Sequence, residues 1–408
     1  MKRVTFITTG QPTTNPRLVK EAECLIELGY QVKVIYCFYQ PWAQRFDEEL
    51  ISKHPGVFIS CGGDPVNDKK TYLRTRVRQK ICNILFKYLN LPGVAENAIS
   101  RTHAEALSKA KTIPTDIFVA HNLGALPAAV LAAKVVGVKV GYDAEDMHSA
   151  QYTSDNDPGY RLNKYIEERY FGSTDYFSAA SPLIAECYAK SYPYLAPVVI
   201  NNVFPKIQLN IRQHYDHGKP LRLFWFSQTI GPDRGLELVI KAMSKTAGRV
   251  ELNLMGYCSD EYRSVFLALA RECGLNDSSV QFHDPVAPDE LFSFATTFDI
   301  GIASETASTV NRDICLTNKI FTYLQCGLVV IASDTRAQAL FLQQYPDTGS
   351  LYLKTNESSL VEALDHYLKN PDELYRVRLA NYQLGQTTLN WENERTKFVN
   401  LIESICHE

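Results

Sequence analysis

The sequence NRDICLTNKIFTYLQCGLVVIASDT, residues 311–335, predicts a loop, a helix and a buried strand in succession. We expect the loop over 311–316, the helix over 317–325 and the strand over 328–333. Thr317 carries a side-chain oxygen that can cap the helix, whose first N–H groups have no partner within it. Those N–H groups and the positive end of the helix dipole make the junction a candidate phosphate-binding site.

The end of this helix is also marked. Gly327 stands where helices commonly end with a left-handed residue, a conformation that glycine adopts without steric cost. Ile320, Phe321 and Leu324 lie at helical spacing and predict one apolar face. Taken alone, this pattern is typical of any loop–helix–strand unit of an α/β protein, so the particular residues must identify it.

These residues resemble the signature of the GT-B glycosyltransferases, in particular the large retaining, glycogen-synthase-like group (group 1, family 4 type). That signature is approximately N-K-x-F-E-Y-x-x-x-G-x-x-V-x-A-S-D. The chain matches it at Asn318, Lys319, Phe321, Tyr323, Gly327, Val330, Ala332, Ser333 and Asp334. The glutamate that the family uses on the nucleotide ribose falls at Thr322, and its usual partner falls at Ile314.

Length and composition limit the other possibilities. The chain has 408 residues, a length that suggests two or three domains, and its 45% hydrophobic and 21% charged residues are ordinary for a soluble globular protein. Its net charge of -3 gives no overall attraction to nucleic acid. Ten cysteines without a C-x-x-C pair or metal-like cluster indicate reduced thiols, as in a cytoplasmic protein. We therefore expect no nucleic acid partner, no metal and no cofactor.

Two segments, 3–37 and 221–255, each predict a strand–loop–helix–strand unit, which indicates two similar lobes. The polar stretch between them contains His214 and His217, which we assign to a linker and not to a metal site. The resemblance implies the GT-B fold, an α/β architecture with two Rossmann-like lobes facing a central cleft. The predicted domains are an acceptor-binding lobe (1–203), a linker (204–220), a nucleotide-sugar-binding lobe (221–385) and a C-terminal helix that crosses back to the first lobe (386–408).

The donor site is predicted in the second lobe. In the turn GPDRG (231–235), Arg234 lies where the family places a cation on the diphosphate, and Gln228 replaces a further cation. His283 lies where relatives approach the nucleotide base, and Glu305 ends the strand before the 311–316 loop. The predicted donor residues are Gln228, Thr229, Gly231, Arg234, His283, Glu305, Leu316, Thr317, Asn318, Lys319 and Thr322.

His121 is the candidate catalytic residue of the first lobe. The sequence DIFVAHNLGALPAA places it at the carboxyl end of a strand, where ligands bind in open α/β sheets. A lone histidine is more often a hydrogen-bonded structural residue. This segment, however, is similar to the D-x-x-H-x-H-x-x-x-x-x-P-A element of the family, whose second histidine lies beside the donor sugar. The resemblance thus implies catalytic roles for His121, Arg234 and Lys319.

The acceptor side is predicted from two other strand ends of the first lobe. The loop TTGQPTTNPR lacks G-x-G-x-x-G, which argues against a dinucleotide site, and in the family it faces the cleft. The second strand end carries Asp143, Glu145 and His148, which are either solvated loop charges or contacts to a substrate. The predicted acceptor-side residues are Gly10, Gln11, Asn15, Asp143, Glu145 and His148.

Residues 68–91 predict a helix with an apolar face and many cations. One interpretation is a core helix whose charged face is solvated. The other is a helix that docks on an anionic membrane or a polyprenyl-phosphate acceptor, through its basic part at 69–87. Composition does not choose between them. The second would make the cytoplasmic protein peripheral on the inner face of the plasma membrane.

These observations predict a metal-independent glycosyltransferase. It would move a sugar from a UDP- or GDP-sugar to a glycan, lipid-linked or small-molecule acceptor with retention, in bacterial cell-surface polysaccharide or glycoconjugate synthesis. Two alternatives stay open. One is a nucleotide-sugar 2-epimerase, and the other is a catalytically silent protein that binds nucleotide-sugars or acts as a scaffold.

Overall fold

The computed structural model describes residues 2–88, 93–211, 219–287 and 290–407. The chain divides into two compact units, Met1–Asn201 with Arg395–Glu408, and Asn202–Glu394. We call them the N-terminal unit and the C-terminal unit. His214 and His217, predicted to lie in a linker, are outside the described residues.

The N-terminal unit is a parallel sheet surrounded by helices. Its strands are β1 (Arg3–Thr8), β2 (Gln31–Cys37), β3 (Phe58–Cys61), β4 (Ile117–His121), β5 (Lys139–Ala144), β6 (Tyr176–Ala179) and β7 (Val198–Val199). Its helices are α1 (Pro16–Glu27), α2 (Gln44–Lys53), α3 (Lys69–Phe86), α4 (Val94–Ile99), α5 (His103–Ala110), α6 (Leu126–Val136), α7 (Pro158–Tyr170) and α8 (Pro182–Ser191). The strand order is β3-β2-β1-β4-β5-β6-β7.

The C-terminal unit repeats this architecture. Its strands are β8 (Leu221–Ile230), β9 (Val250–Cys258), β10 (Val280–His283), β11 (Ile300–Ala303), β12 (Val329–Ser333) and β13 (Gly349–Tyr352), in the order β10-β9-β8-β11-β12-β13. The helices are α9 (Leu236–Ser244), α10 (Asp260–Glu272), α11 (Glu290–Ala295), α12 (Val310–Ile314), α13 (Asn318–Gln325), α14 (Arg336–Gln344), α15 (Glu357–Lys369), α16 (Pro371–Thr387) and α17 (Trp391–His407). From Arg395 onward, α17 belongs to the N-terminal unit.

The prediction of an α/β fold with two Rossmann-like sheets is confirmed. In both sheets the first strand of the unit lies beside the fourth, so β1 pairs with β4 and β8 pairs with β11. The chain leaves these two neighbouring strands in opposite directions, which makes each junction a topological switch point. Ligands of doubly wound sheets bind at the carboxyl ends of the strands at such points. A ligand site is therefore expected at the loops that follow these four strands.

The segment 311–335 folds largely as predicted. Thr317 caps α13 by accepting a hydrogen bond from the backbone of Lys319, and Gly327 ends it with φ of 60°. The prediction of a loop over 311–316 is wrong in its first part, because Val310–Ile314 form the short helix α12. Thr309 supplies the cap for α12, since its side chain accepts a hydrogen bond from the backbone of Arg312.

The orientation of α3 differs from the core-helix interpretation. Leu73, Val77 and Ile81 are all exposed, whereas Thr75 is completely buried. The apolar face of α3 is therefore on the surface and does not join the core. No helix among the residues that the structure describes is long and apolar enough to cross a bilayer.

The core of the C-terminal unit contains a close approach that only glycine permits. A Cβ atom on Gly301, in β11, would lie 2.2 Å from the ring of Tyr323. That ring is fixed because the Tyr323 hydroxyl donates a hydrogen bond of 2.9 Å to the carbonyl of Ile302. The close packing of α13 against β11 therefore depends on the missing side chain.

We expect Gly301→Ala to lower the free energy of unfolding by about 1–3 kcal/mol, because the buried aromatic ring must move. Chemical denaturation of both proteins would measure the difference. Gly172→Ala is the control, since its Cβ would meet nothing closer than Tyr194 at 3.8 Å, an ordinary contact. Equal stability of Gly301→Ala and the unmodified protein would contradict the tight packing described above.

Candidate functional site

The loop after β8 is built around a glycine at the start of α9. Gly235 has φ of 71°, and a Cβ atom there would lie 3.3 Å from Cβ of Ser304. The Ser304 hydroxyl donates a hydrogen bond of 2.7 Å to the carbonyl of Arg234, and Thr306 donates one of 3.2 Å to the carbonyl of Asp233. The loops after β8 and β11 thus hold each other at the switch point.

The N-terminus of α9 has no side-chain cap, because its cap residue is Gly235. Arg234 precedes it with a half-buried side chain. Among the described residues, no carboxylate forms an ion pair with the Arg234 guanidinium. Backbone N–H groups at a helix start, beside a cation without a counter-ion, are suited to bind phosphate.

Lys319 is in a different situation from Arg234. Its Nζ atom lies 2.8 Å from Oε1 of Glu305, and both side chains are about nine-tenths buried. The same ammonium group lies 5.2 Å from the ring centre of Trp225, a cation–π contact. Two predicted donor residues are therefore brought together, but the charge of Lys319 is balanced within the protein.

The position of Glu305 is fixed through Ser333. The Glu305 backbone N–H donates to the Ser333 hydroxyl at 2.9 Å, and that hydroxyl donates to the carbonyl of Glu305 at 2.8 Å. The side-chain amide of Gln338 also donates to the hydroxyl at 2.9 Å. The sequence identified Ser333 only as a position of the signature. It gave no indication of Gln338, because that residue lies outside any recognised motif.

The remaining predicted donor residues differ in accessibility. Gln228, Thr229 and Asn318 are exposed, while Gly231 and Leu316 are buried. The first two lie where the pairing of β8 with β9 shifts register.

Thr322 stands where the family carries a ribose-binding glutamate. It is completely buried, and its hydroxyl donates a hydrogen bond of 3.3 Å to the carbonyl of Asn318. A nucleotide cannot contact this hydroxyl in the structure, which corrects the prediction that it binds the donor. A threonine hydroxyl in a helix commonly donates its hydrogen bond to a carbonyl of the preceding turn, whereas the longer glutamate side chain can extend beyond the helix backbone to a ligand.

His283 is held on the neighbouring strand. Its Nε2 atom lies 2.8 Å from Oδ1 of Asn253, and its ring packs against Phe294. Burial lowers the pKa of His283, so the ring is neutral near neutral pH. The ring is half-buried, at the carboxyl end of β10, and its edge can serve a base or sugar by packing and hydrogen bonding.

The switch-point loops share a backbone feature. Non-glycine residues with positive φ are Asn122 (66°), Asp233 (57°) and Ala307 (54°) in the loops after β4, β8 and β11. Outside these loops, only Ala247 shows it among the described residues. A left-handed conformation costs a residue with a Cβ about 1 kcal/mol or more, and such strain is concentrated at functional sites.

The switch point of the N-terminal unit contains a buried cluster of charges. His121 ends β4, with Thr8 of β1 on one side and Asp143 of β5 on the other. Its ring is completely buried. Nε2 lies 3.0 Å from Glu21, and Nδ1 lies 3.4 Å from Glu145. Both ring nitrogens are therefore engaged with carboxylates.

Arg17 completes the cluster from α1. Its Nε and Nη2 atoms each donate a hydrogen bond of 2.7 Å to Asp143, and Nη1 donates one of 2.6 Å to the carbonyl of Ile200. Ser178 also donates to Asp143, at 2.5 Å. All the oxygen atoms of this carboxylate are thus satisfied without water, so Asp143 is a structural partner of Arg17 in this state.

The histidine of the cluster carries a charge. Burial by itself would lower the pKa of His121, but the neighbouring carboxylates Glu21, Glu145 and Asp143 raise it to about 10. The protonated ring can donate from both nitrogens, which matches its two carboxylate partners. The cluster thus contains two cations, the His121 imidazolium and the Arg17 guanidinium.

Three members of the cluster also have the chemistry of metal ligands. One atom each from Glu21, His121 and Asp143 lies within 4.8 Å of the others. In the structure, Arg17 occupies both oxygens of Asp143, and the imidazolium has no lone pair to offer. The arrangement therefore favours internal cations over a metal ion.

The predicted acceptor-side residues divide into two groups. Gln11 is buried, with its amide nitrogen 2.6 Å from Asp47 and its amide oxygen accepting from the backbone of Gln40 at 2.6 Å. Asn15 caps α1, and a Cβ atom on Gly10 would lie 2.8 Å from Oγ1 of Thr14. The side chains of Gln11 and Asn15 thus hold the loop in shape.

Glu145 and His148 form the second group, because both are partly exposed. Glu145 retains about a third of its side-chain exposure while it contacts His121. Nε2 of His148 accepts a hydrogen bond of 3.3 Å from the backbone of Leu123. These two side chains are therefore polar groups with exposed surface at this strand end.

Sequence reasoning missed Arg17 and Glu21. Both are charged, yet they follow the buried apolar pattern of α1, one residue before Leu18 and Ala22. Charged residues at core-facing positions indicate a buried ion network. The position of these two charged residues on the buried face of α1 is the sequence feature that could have indicated the network.

We predict a specific pH dependence of stability from the raised pKa of His121. Its ionic stabilisation is fully present below about pH 6.5, the ordinary value, and is lost as the pH rises to about 10. The difference in unfolding free energy between the unmodified protein and His121→Gln should therefore be large near pH 6.5 and shrink as the pH rises to about 10. Denaturation at a series of pH values would measure it.

The neighbouring Lys20 also titrates in this interval, because burial lowers its pKa to about 7. Lys20 titrates in both proteins, so its contribution is largely common to them. A difference in unfolding free energy that does not change between pH 6.5 and 10 would contradict a charged His121.

Comparison with known proteins gives the family of the C-terminal unit. Residues 221–370 match the family model described as glycosyl transferases group 1. No curated protein is a significant match to the sequence. The family match includes the Arg234 loop, His283, Glu305 and Lys319.

Solved structures are similar to the chain over nearly its full length. Sucrose-phosphate synthase from Thermosynechococcus elongatus is similar with a TM-score of 0.71 and 13% identity, covering 99% of each chain. Anabaena HepE in complex with UDP and glucose gives a TM-score of 0.69 and 13% identity, covering 99% of this chain and 100% of HepE. The lipopolysaccharide outer core galactosyltransferase WaaB gives 0.64 and 12%, covering 98% of this chain and 99% of WaaB.

At such identities the structural likeness establishes the fold, while the family match establishes the type of domain. The resemblance noted in residues 311–335 is thereby confirmed. Residues 221–370 form a group 1 glycosyltransferase domain, and the chain as a whole has the GT-B fold.

Proposed function

We propose that the protein transfers a sugar from a UDP-sugar to a glycan or lipid-linked acceptor, with retention of the anomeric configuration. The observation that carries this proposal is the Arg234 guanidinium, which has no counter-ion among the described residues and lies beside the uncapped start of α9. A diphosphate is the ligand whose charge and size suit this arrangement. HepE, a similar structure, is a complex with UDP and glucose, which supports uridine as the base.

The chemical step needs stabilisation of a departing diphosphate. The bond from the anomeric carbon to the diphosphate oxygen breaks, and a bond to the acceptor oxygen forms on the same face. The acceptor hydroxyl gives its proton to the leaving phosphate, so the products are UDP and the glycoside. Arg234 and the N–H groups of α9 stabilise the negative charge as it develops, without a metal ion.

Lys319 has a second role in this proposal. It is paired with Glu305 at 2.8 Å, so a phosphate that approaches must compete with a buried carboxylate for the ammonium group. A shared ammonium could neutralise both without leaving Glu305 uncompensated. Lys319 therefore helps to stabilise the charge of the leaving phosphate, while Glu305 holds the Lys319 ammonium group in position.

His121 is proposed as a positioning residue. Its buried imidazolium holds the accessible carboxylate of Glu145 at 3.4 Å, so its effect on a substrate would pass through Glu145. This differs from the direct contact with the donor sugar that the resemblance implies. The two roles differ in whether Glu145 is needed for turnover, and the resemblance did not place Glu145 among the catalytic residues.

The biological setting is proposed on the same basis. The similar protein WaaB acts on the lipopolysaccharide outer core, and this supports a role in bacterial cell-surface polysaccharide or glycoconjugate synthesis. A GDP-sugar donor and a small-molecule acceptor are the variants of this proposal that a substrate screen would test.

We expect Arg234→Ala to weaken UDP binding by about 1–3 kcal/mol, because a charge-assisted contact to the diphosphate is lost. Isothermal titration with UDP would measure this change. Arg271→Ala is the control, since Arg271 is an exposed arginine of the same unit that pairs with Asp277. An unchanged dissociation constant for Arg234→Ala would refute the assignment of the diphosphate site.

The reaction class is tested by incubating the protein with UDP-glucose and GDP-sugars. A transferase slowly releases nucleoside diphosphate and free sugar when water replaces the acceptor. A 2-epimerase instead alters the sugar configuration at C2, and a silent binding protein leaves the donor intact. Nucleotide binding without either product would overturn the proposed activity while leaving the diphosphate site in place.

We further expect His121→Ala to lower kcat on the order of a hundredfold, the scale of one positioned polar group, with UDP affinity nearly unchanged. Glu145→Gln should reproduce this loss, and because its side chain is partly exposed the variant should fold normally. Steady-state kinetics of both variants, with UDP titrations, would measure these effects. Full turnover in Glu145→Gln would exclude the positioning role.

A further inference from the structure

The helix α3 is attached to the N-terminal unit by polar groups. Thr75 is buried on its inner side, and its hydroxyl accepts a hydrogen bond of 2.9 Å from the guanidinium of Arg101. The guanidinium of Arg78 donates a 2.6 Å hydrogen bond to the carbonyl of Arg101, and the amide of Gln79 donates one of 3.1 Å to the carbonyl of Ala98. Phe86 is also buried, against Tyr165, so the exposed apolar residues on the other side of the helix are not needed to hold it in place.

The opposite side of α3 presents those apolar residues to solvent. They have exposed fractions from 37% at Leu85 to 57% at Val77, and Leu73, Ile81 and Ile84 lie between these values. At about 100° per residue they cover an arc of about 120° on the helix surface, and the exposed cations Lys70 and Arg74 fall within the same arc. We call this set the apolar stripe. A stripe of five large aliphatic side chains is unusual on a surface that contacts only water.

A row of cations follows one border of the stripe. Lys69, Arg76, Lys80 and Lys87 are exposed and fall on one side of it at helical spacing. The sequence from 69 to 88 contains no aspartate or glutamate. Long cationic side chains beside an apolar stripe can lie along it and extend their charges away from it.

Charge decides which partner fits this face. A second copy of the chain would bring an identical row of cations, and like charges repel across an interface. A bilayer with anionic headgroups offers negative charge at its surface and hydrocarbon directly beneath. The apolar stripe and the adjacent cations match these two layers in the same order.

We propose that the outward face of α3 docks on an anionic lipid bilayer. The helix lies in the plane of the interface, with the apolar stripe at the boundary of the acyl chains and the cation row among the headgroups. Membrane binding by α3 does not depend on sugar transfer, so the two proposals can be tested separately. It would keep the protein at a membrane, where lipid-linked acceptors are found.

Sedimentation of the full chain with vesicles tests the proposal. The protein should sediment with vesicles of phosphatidylcholine containing phosphatidylglycerol and remain in solution with phosphatidylcholine alone. Binding should decrease steeply as salt rises, since charges are screened over about 8 Å at physiological ionic strength. Equal binding to both kinds of vesicle, or none to either, would overturn it.

Two sets of substitutions separate the stripe from the cations. Arg76→Gln with Lys80→Gln should reduce the partition coefficient about fivefold for each cation removed. Val77→Ser, Ile81→Ser and Ile84→Ser together should reduce it at least about tenfold, because each serine removes apolar area from the interface. These side chains are exposed, so all the variants should unfold like the unmodified protein.

Matched controls lie elsewhere on the surface. Lys241→Gln with Lys245→Gln removes two exposed cations of the C-terminal unit, and Val135→Ser, Val265→Ser and Leu379→Ser remove three exposed aliphatic side chains. Both control sets should bind vesicles normally. If the α3 variants sediment like the controls, the proposal is wrong. It is also wrong if the protein is a dimer that the triple serine variant dissociates, because a second copy then covers the stripe.

Discussion

The double hydrogen bond between Arg17 and Asp143 joins a helix, two strands and the chain before the linker in one buried contact. Arg17 reaches both Asp143 in β5 and the carbonyl of Ile200, while Asp143 also borders His121 in β4. Removing one partner of such a pair leaves an uncompensated charge in the interior, which costs about 3–5 kcal/mol. The rest of the N-terminal switch point is therefore arranged around this contact. Asp143 balances the charge of Arg17, and Glu21 balances the charge of His121.

The C-terminal unit distributes its charges differently on the same fold. Its buried pair, Lys319 with Glu305, is already neutral, but Arg234 keeps a guanidinium without a carboxylate partner among the described residues. An interior that satisfies all its charges cannot gain from an anion, whereas one that leaves a cation beside a helix start can. The difference between the two switch points is thus electrostatic and not topological. Among the described residues, the C-terminal unit thus has a cation beside a helix start that is available to an anionic ligand.

Local patterns explain why much of the fold could be predicted from the sequence. Strands β1 and β2 follow from short β-rich runs between Gly and Pro signals, and α13 follows from the Thr317 cap and Gly327. The cluster around Asp143 could not be predicted in the same way, because Arg17 lies 126 residues earlier in the chain. The orientation of α3 was also beyond local reasoning. A periodic apolar face is the same in sequence whether it points to the core or to solvent.

The division of α17 has a consequence for the order in which the protein is made. Its residues from Arg395 belong to the N-terminal unit, where Arg395 pairs with Glu27 of α1 and Phe398 is buried. At about 5–20 residues per second, a ribosome needs about 10–40 s to synthesise the intervening C-terminal unit. During that time the N-terminal unit lacks its last helix. Nascent chains would thus expose part of an unfinished core, which gives chaperones a defined interval in which to act.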